Sequence, residues 1–172
     1  MHTIWITGLS RSGKTTIAEG IAQFLRASDQ RVQILDGREI RDSVGDFFGY
    51  SKEERMRVNR VLCTMAKILA ENNIFPVVTS ITPHQESRDF NRRELDPYLE
   101  IYLDCSVESC IERDRNNLYK KALQGDIQHF IGVDDPYEVP RNSDCKIDTA
   151  TQEPDQSVAQ AIAFVRGAID LP

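Results

Sequence analysis

The chain has 172 residues, 40% of them hydrophobic, and a net charge of −6, enough for one domain with several buried strands. The acidic balance argues against a nucleic-acid-binding surface, which needs a basic face for phosphates, and leaves room for a local basic pocket. No apolar run is long enough for a bilayer and no basic segment leads into an apolar one at the start, so neither a membrane span nor a secretory signal is expected.

The first element is apolar and β-rich: Thr3–Thr7 (TIWIT) predicts a strand. Gly13–Ala27 predicts a helix with Ile17, Ile21, Phe24 and Leu25 on one face, and Arg31–Leu35 a second strand that runs into LDG. Lys52–Glu71 carries Val58, Val61, Leu62, Met65, Ile68 and Leu69 at helical spacing, and Ser51 with Glu54 after it has the form of a capping box. Strands are expected at Phe75–Thr79 and Leu99–Leu103, then a short helix at Ser106–Asp114. Arg115–Arg141 is polar and partly helical. A short strand at Cys145–Ile147 and a helix at Pro154–Ile169 close the pattern. Strand–helix alternation with apolar, non-alternating strands means a parallel sheet covered on both faces, with ligands beyond the strands' carboxyl ends. The four cysteines, Cys63, Cys105, Cys110 and Cys145, form no CxxC pair and are expected as small core residues of a cytoplasmic protein.

Immediately after the first strand comes GLSRSGKT, the pattern G-x-x-x-x-G-K-[ST] in the strand-to-helix context it requires. Its glycines let backbone N–H groups converge on phosphates at a helix N-terminus. Lys14 can reach the outer phosphates and the Thr15 hydroxyl can bind Mg²⁺. No N-K-x-D stretch selects guanine, which favours ATP. Asp36, at the end of the second strand, can hold metal-bound water or accept a substrate proton, or it can simply cap the following helix; the two roles are compatible. Asp104, in EIYLDC, is a rival carboxylate with its own capping alternative.

Over nearly its whole length the chain resembles the adenylyl-sulfate kinases, which transfer the γ-phosphate of ATP to the 3′-hydroxyl of adenylyl sulfate. The resemblance lies in GLSRSGKTT, LDGREIR, GYSKEER, SITPHQESRD and the long ERDRNNLYKKALQGDIQHFIGVDDPYEVP. It implies a three-layer α/β P-loop NTPase fold with a mostly parallel sheet, one kinase domain over 1–172 with a lid at about 116–140, ATP and Mg²⁺ as cofactors, a homodimer, and a place in sulfate assimilation. It implies that Gly8, Leu9, Ser10, Arg11, Ser12, Gly13, Lys14, Thr15 and Thr16 hold the ATP phosphates, with Thr15 at the metal, and that Arg113 lies near the adenine. Lys14 and Asp36 become the catalytic residues. Arg41 and Arg55 contact the acceptor nucleotide, Tyr50 and Phe130 sandwich its base, and Lys120 and Lys121 approach its phosphoryl and sulfate groups. The segment Asp134–Tyr137 anchors the return of the lid. Without the resemblance, Tyr50, Phe130 and Tyr137 read as core packing, and Arg41, Arg55, Lys120 and Lys121 divide evenly between a binding site and a solvated face. His84 and His129 lack partners at ligand spacing and are expected on the surface or the lid.

Several positions depart from the family pattern. Arg11 replaces a glycine of the phosphate loop, and Arg38 an aspartate. Val58 replaces an asparagine, with Asn59 one place on; Thr82-Pro83-His84-Gln85 replaces S-P-Y-R, and Ile131 a threonine. Most of these fall on the acceptor half. Two further readings therefore stand behind the family reaction: a kinase for a related nucleotide, such as a cytidine 5′-diphosphoramidate-like compound, and a nucleotide-binding pseudokinase, against which Lys14, Thr15, Asp36 and the full lid segment argue. Arg38 has two balanced roles, pairing with an anionic group of either nucleotide or forming a surface pair with Asp42 one helical turn on.

Overall fold

The computed structural model describes residues 1–169, with Asp46 described by its backbone alone; the last three residues of the expected domain lie outside the described residues. Strands β1 (Thr3–Thr7), β2 (Val32–Asp36), β3 (Phe75–Thr79), β4 (Tyr98–Asp104) and β5 (Cys145–Asp148) form one sheet in the order β2-β3-β1-β4-β5. Every neighbouring pair is parallel. The helices are α1 (Lys14–Ala27), α2 (Gly37–Val44), α3 (Lys52–Glu71), α4 (Gln85–Glu94), α5 (Val107–Glu112), α6 (Leu118–Leu123) and α7 (Pro154–Ala168), with a single 3₁₀ turn at Gly45–Phe47.

Successive side chains of a strand point to opposite faces, and β1, buried along its whole length, divides the protein into two cores. Ile4 and Ile6 pack with Val77, Ile101 and Leu103 against Ile17, Ile21 and Leu25 of α1 and Ala161 and Val165 of α7. Trp5 packs on the other face with Leu35, Val78 and Tyr98 against Val58, Leu62 and Ala66 of α3. Its indole N–H donates to Thr82 Oγ1 at 2.9 Å, so even this central side chain leaves no polar atom unpaired. A third, smaller cluster of Leu9, Cys105, Cys110, Tyr119 and Ile131 lies under the segment that carries α6.

Periodic elements stand where expected, within a residue or two. Helix α3 spans Lys52–Glu71 and begins in the capping box of Ser51 and Glu54. Cys63, Cys105 and Cys110 are buried, Cys145 is half-buried, and all are free thiols. Helix α2 is the helix that Asp36 was expected to cap, whereas α4 has no counterpart among the expected elements. The reason is visible in α4: its buried residues are Ser87, Arg88 and Asn91, so it packs through a polar face that carries no hydrophobic period. Helix α2 buries only its first residue, Gly37.

The pair α1 and α7 meets closely. A Cβ added at Gly20 of α1 would run into the side chain of Val158 on α7. Alanine is the better helix former by about 1 kcal/mol, yet Gly20→Ala is expected to destabilise the fold by about 1–3 kcal/mol through overpacking. Equilibrium urea unfolding checks the sign.

Candidate active site

The carboxyl ends of β1, β2 and β3 open on one cleft of about 600 Å³, a size suited to a small-molecule ligand. Ser10, Arg11, Gly13, Lys14, Thr15 and Thr16 line it, while Gly8, Leu9 and Ser12 are buried behind them. Gly13 caps α1 with φ 98°, a backbone that favours glycine and turns the loop into the helix. The Lys14 ammonium donates to the carbonyl oxygens of Gly8 at 3.0 Å and Leu9 at 2.6 Å. Burial pushes its pKa down to about 8; a polyanion beside it favours the charged form and opposes that shift.

Asp36 ends β2 and caps α2. Its Oδ1 accepts the Arg38 N–H at 2.7 Å, and its Oδ2 accepts the hydroxyl of Thr79 at 2.9 Å. The strand register pairs Asp36 with Thr79 directly. A Cβ on Gly37 would press on Thr79 O, Leu62 Cδ1 and Ser80 Oγ at 3.3–3.4 Å, so the start of α2 sits hard against the end of β3. The capping role of Asp36 is thus realised, and the same residue lines the cleft. Asp104 is engaged elsewhere: it accepts the Tyr102 hydroxyl at 3.0 Å and pairs with Lys146 at 2.7 Å. Arg38 is exposed and lines the cleft. None of the ion pairs among the described residues joins it to Asp42.

Arg41, Tyr50, Arg55, Val58, Asn59 and Phe130 also line the cleft. The Tyr50 ring is half exposed, with the Arg41 and Arg55 guanidinium carbons 4.7 and 5.3 Å from its centroid. Arg41 donates to Gly49 O at 2.6 Å and Arg55 to Tyr50 O at 2.9 Å, which fixes both cations beside the ring. Burial lowers the pKa of Arg55, and the nearby Arg41 charge adds to the effect. Phe130 meets the buried ring of Tyr119 edge-on at 4.8 Å. Asn59 is locked in a reciprocal amide pair with Asn91, at 2.7 and 3.3 Å. Arg113 reaches the cleft while donating to Thr149 O at 2.6 Å. Lys120 and Lys121 are exposed on α6 and do not line the cleft.

His129 is exposed on the expected lid, but His84 is buried, its Nδ1 3.6 Å from Glu138 Oε1, because the chain returning from the lid covers it. Arg88, 1% exposed, ties that return down by donating to Thr82 O and Glu138 O, each at 2.6 Å. Asp134 accepts the N–H groups of His129 and Phe130 at 2.6 Å. Tyr137 stacks on Tyr102 and bonds Thr7 Oγ1 at 2.9 Å, a packing role outside the cleft. Thr79 and Arg88 escaped the sequence reading, because a strand register and a polar helix face leave no periodic trace.

The family model described as "Adenylylsulphate kinase" matches residues 1–148. The chain belongs to the adenylyl-sulfate kinase family. A probable adenylyl-sulfate kinase from Aeropyrum pernix is 37% identical over 97% of this chain and 93% of its own length. One from Pseudomonas aeruginosa is 40% identical over 92% of this chain and 74% of its own. The structure of the Mycobacterium tuberculosis APS kinase CysC in complex with AMPPNP and APS superimposes with a TM-score of 0.89 at 31% identity, covering 95% of this chain and 96% of that one. The α/β sheet and flanking helices are those of the adenylyl-sulfate kinase P-loop fold.

In this member of the adenylyl-sulfate kinase family, Thr79→Val keeps the shape of the side chain and removes the donor to Asp36. Phosphoryl transfer is expected to fall about tenfold, the scale of one hydrogen bond to a charged group, with the melting temperature unchanged. Thr79→Ser is expected to restore it. ADP release and a thermal melt measure both.

Proposed function

We propose that this protein phosphorylates the 3′-hydroxyl of adenylyl sulfate with ATP, giving 3′-phosphoadenylyl sulfate and ADP. The observation that carries the reading is one cleft lined both by the phosphate loop and by Arg41, Tyr50, Arg55 and Phe130. The match to an enzyme whose structure holds AMPPNP and APS supports it.

In this reading the acceptor hydroxyl attacks the γ-phosphorus in line, and the bond to the β-phosphate oxygen breaks with its electron pair leaving on ADP. Lys14 and the loop amides face the charge that accumulates. Asp36, its plane held by Thr79 and the Arg38 N–H, orients the hydroxyl and takes its proton. Tyr50 and Phe130 grip the acceptor base, Arg41 and Arg55 its anionic part, and Arg113 lies by the ATP adenine. The segment 116–140 acts as a lid that keeps water from competing as acceptor, with Lys120 and Lys121 brought to the anionic groups when it closes. Mg²⁺ fits the donor set: the Thr15 hydroxyl and the Asp36 carboxylate both line the cleft, and this ion is usually held by one or two hard protein oxygens plus substrate phosphates. Bound there, it supplies neutralisation of the phosphate oxygens. A homodimer, a cytoplasmic location and a role in sulfate assimilation belong to the same reading and rest on family membership. No described helix is long and apolar enough to cross a membrane.

Arg38 favours one second reading. An unpaired guanidinium in place of the family aspartate suits an acceptor with a different anionic tail, such as a cytidine diphosphate-like compound. ADP release with adenylyl sulfate, AMP, CMP and a cytidine diphosphate analogue decides between the two. Adenylyl sulfate is expected to exceed the others by orders of magnitude; a preferred cytidine compound would overturn the first reading. Lys14→Ala is expected to abolish transfer in a folded protein. Phe130→Ala is expected to raise the acceptor KM about tenfold to a hundredfold, the worth of one stacked base, with little change in the KM for ATP.

A further inference from the structure

Arg11 stands in the phosphate loop where the family pattern has glycine, and its backbone keeps the glycine-like conformation, φ 66°. The loop therefore follows the usual path and carries a guanidinium besides. That side chain is largely buried, lines the cleft, and is held from behind: Arg11 Nε donates to Asp114 Oδ1 at 3.2 Å, and the Asp114 side chain is 2% exposed. Asp114 is itself fixed, because its Oδ2 accepts the N–H of Tyr119 at 2.8 Å. The Tyr119 hydroxyl closes the circuit by donating to Ser10 O, next to Arg11, at 3.0 Å. At the other end of the fork, Arg11 Nη2 is buried and has no hydrogen-bond partner.

These features do not suit a plain strap between loop and lid. A strap needs one ion pair, and a lysine or a glutamine at the surface would supply a contact without leaving a dry donor. A guanidinium has five N–H groups in a rigid fork, and an unpaired buried donor is unfavourable. The one acceptor the surrounding loop is built to bring is a phosphoryl oxygen. Lys14, the other cation of the loop, is engaged with the carbonyls of Gly8 and Leu9.

We propose that Arg11 is a catalytic arginine supplied from within the phosphate loop, its fork bonding the β- and γ-phosphoryl oxygens of ATP while Asp114 orients it. The proposal rests on the ATP-dependent transfer described above and adds a group to it. The acceptor oxygen forms its bond to the γ-phosphorus. The bond from that phosphorus to the β-phosphate oxygen breaks, its electron pair stays on ADP, and the hydroxyl proton passes to Asp36. Arg11 changes neither charge nor covalency; it stabilises the charge that moves onto the bridging and equatorial oxygens, where a bidentate donor gains most. Arg11 then belongs to the chemistry rather than to nucleotide recognition, and kcat is the parameter it controls.

The test compares Arg11→Gly, Arg11→Lys and Asp114→Asn with wild type. Glycine takes φ 66° without strain, so Arg11→Gly is expected to fold with an unchanged or higher melting temperature. Its kcat is expected to fall on the order of 10³-fold, the scale of an arginine that stabilises phosphoryl transfer, with the KM for ATP moved far less. Arg11→Lys, which keeps the charge and loses the fork, is expected to recover only part of the rate, and added guanidinium ion to restore part of the rate of Arg11→Gly and none of Lys14→Ala. Asp114→Asn, which loosens the orientation and keeps the guanidinium, is expected to lose at least tenfold less than Arg11→Gly. A kcat for Arg11→Gly close to that of wild type would overturn the proposal. So would equal losses in Arg11→Gly and Asp114→Asn without guanidinium rescue, which is the result of a strap. Wild type active only with another nucleotide removes the adenylyl sulfate reading and leaves the comparison to be made with that acceptor; wild type active with no acceptor removes both.

Discussion

The hydrogen-bonded register of three parallel strands places the chemistry. Thr79, at the end of β3, pairs with Ile6 of β1 on one side and with Asp36 of β2 on the other. Because side chains alternate along a strand, a slip of one residue would turn Asp36 and Thr79 to opposite faces and separate carboxylate from hydroxyl. The two cores resist such a slip. Ile4 and Ile6 are committed to α1 and α7, and Trp5 to α3, so each of the three apolar side chains of β1 has one acceptable face. Parallel strands also end at the same edge of the sheet, and so the phosphate loop leaving β1 meets the helix cap leaving β2.

Charge is distributed against the global balance. The chain carries a net −6, yet six Lys and Arg side chains and only two Asp side chains line the cleft. Four of the cations are held by short contacts to backbone carbonyls, Lys14 to the loop, Arg41 to Gly49, Arg55 to Tyr50 and Arg113 to Thr149, whereas Arg11 pairs with the Asp114 carboxylate. Carbonyls orient these side chains without cancelling their charge, as carboxylates would. The cleft keeps a positive field for a polyanion while the rest of the surface repels it.

Residues 116–140, the expected lid, pack on a small core shared with the phosphate loop and the chain after β4. Leu9, Cys105, Cys110, Tyr119 and Ile131 cluster apart from the cores on the two faces of the sheet. The segment is tied near both ends, through Asp114 to Arg11 and through Glu138 to Arg88.

Local signals sufficed for much of this protein. The apolar strands, the periodic face of α3 with its capping box, and the phosphate loop are written in contiguous residues, because each is set by backbone preference and by burial of one face. Family resemblance added Tyr50, Arg55 and Phe130 as expected acceptor contacts, where the bare residue types read equally as core or surface. Tertiary structure alone decided the rest. Helix α4 packs through Ser87, Arg88 and Asn91, and a polar face has no hydrophobic period to read. His84 is buried only because Glu138, far along the chain, folds back over it. The bonds from Thr79 to Asp36 and from Arg11 to Asp114 join residues 43 and 103 positions apart. Such pairings depend on strand order and loop closure, which no stretch of neighbouring residues encodes.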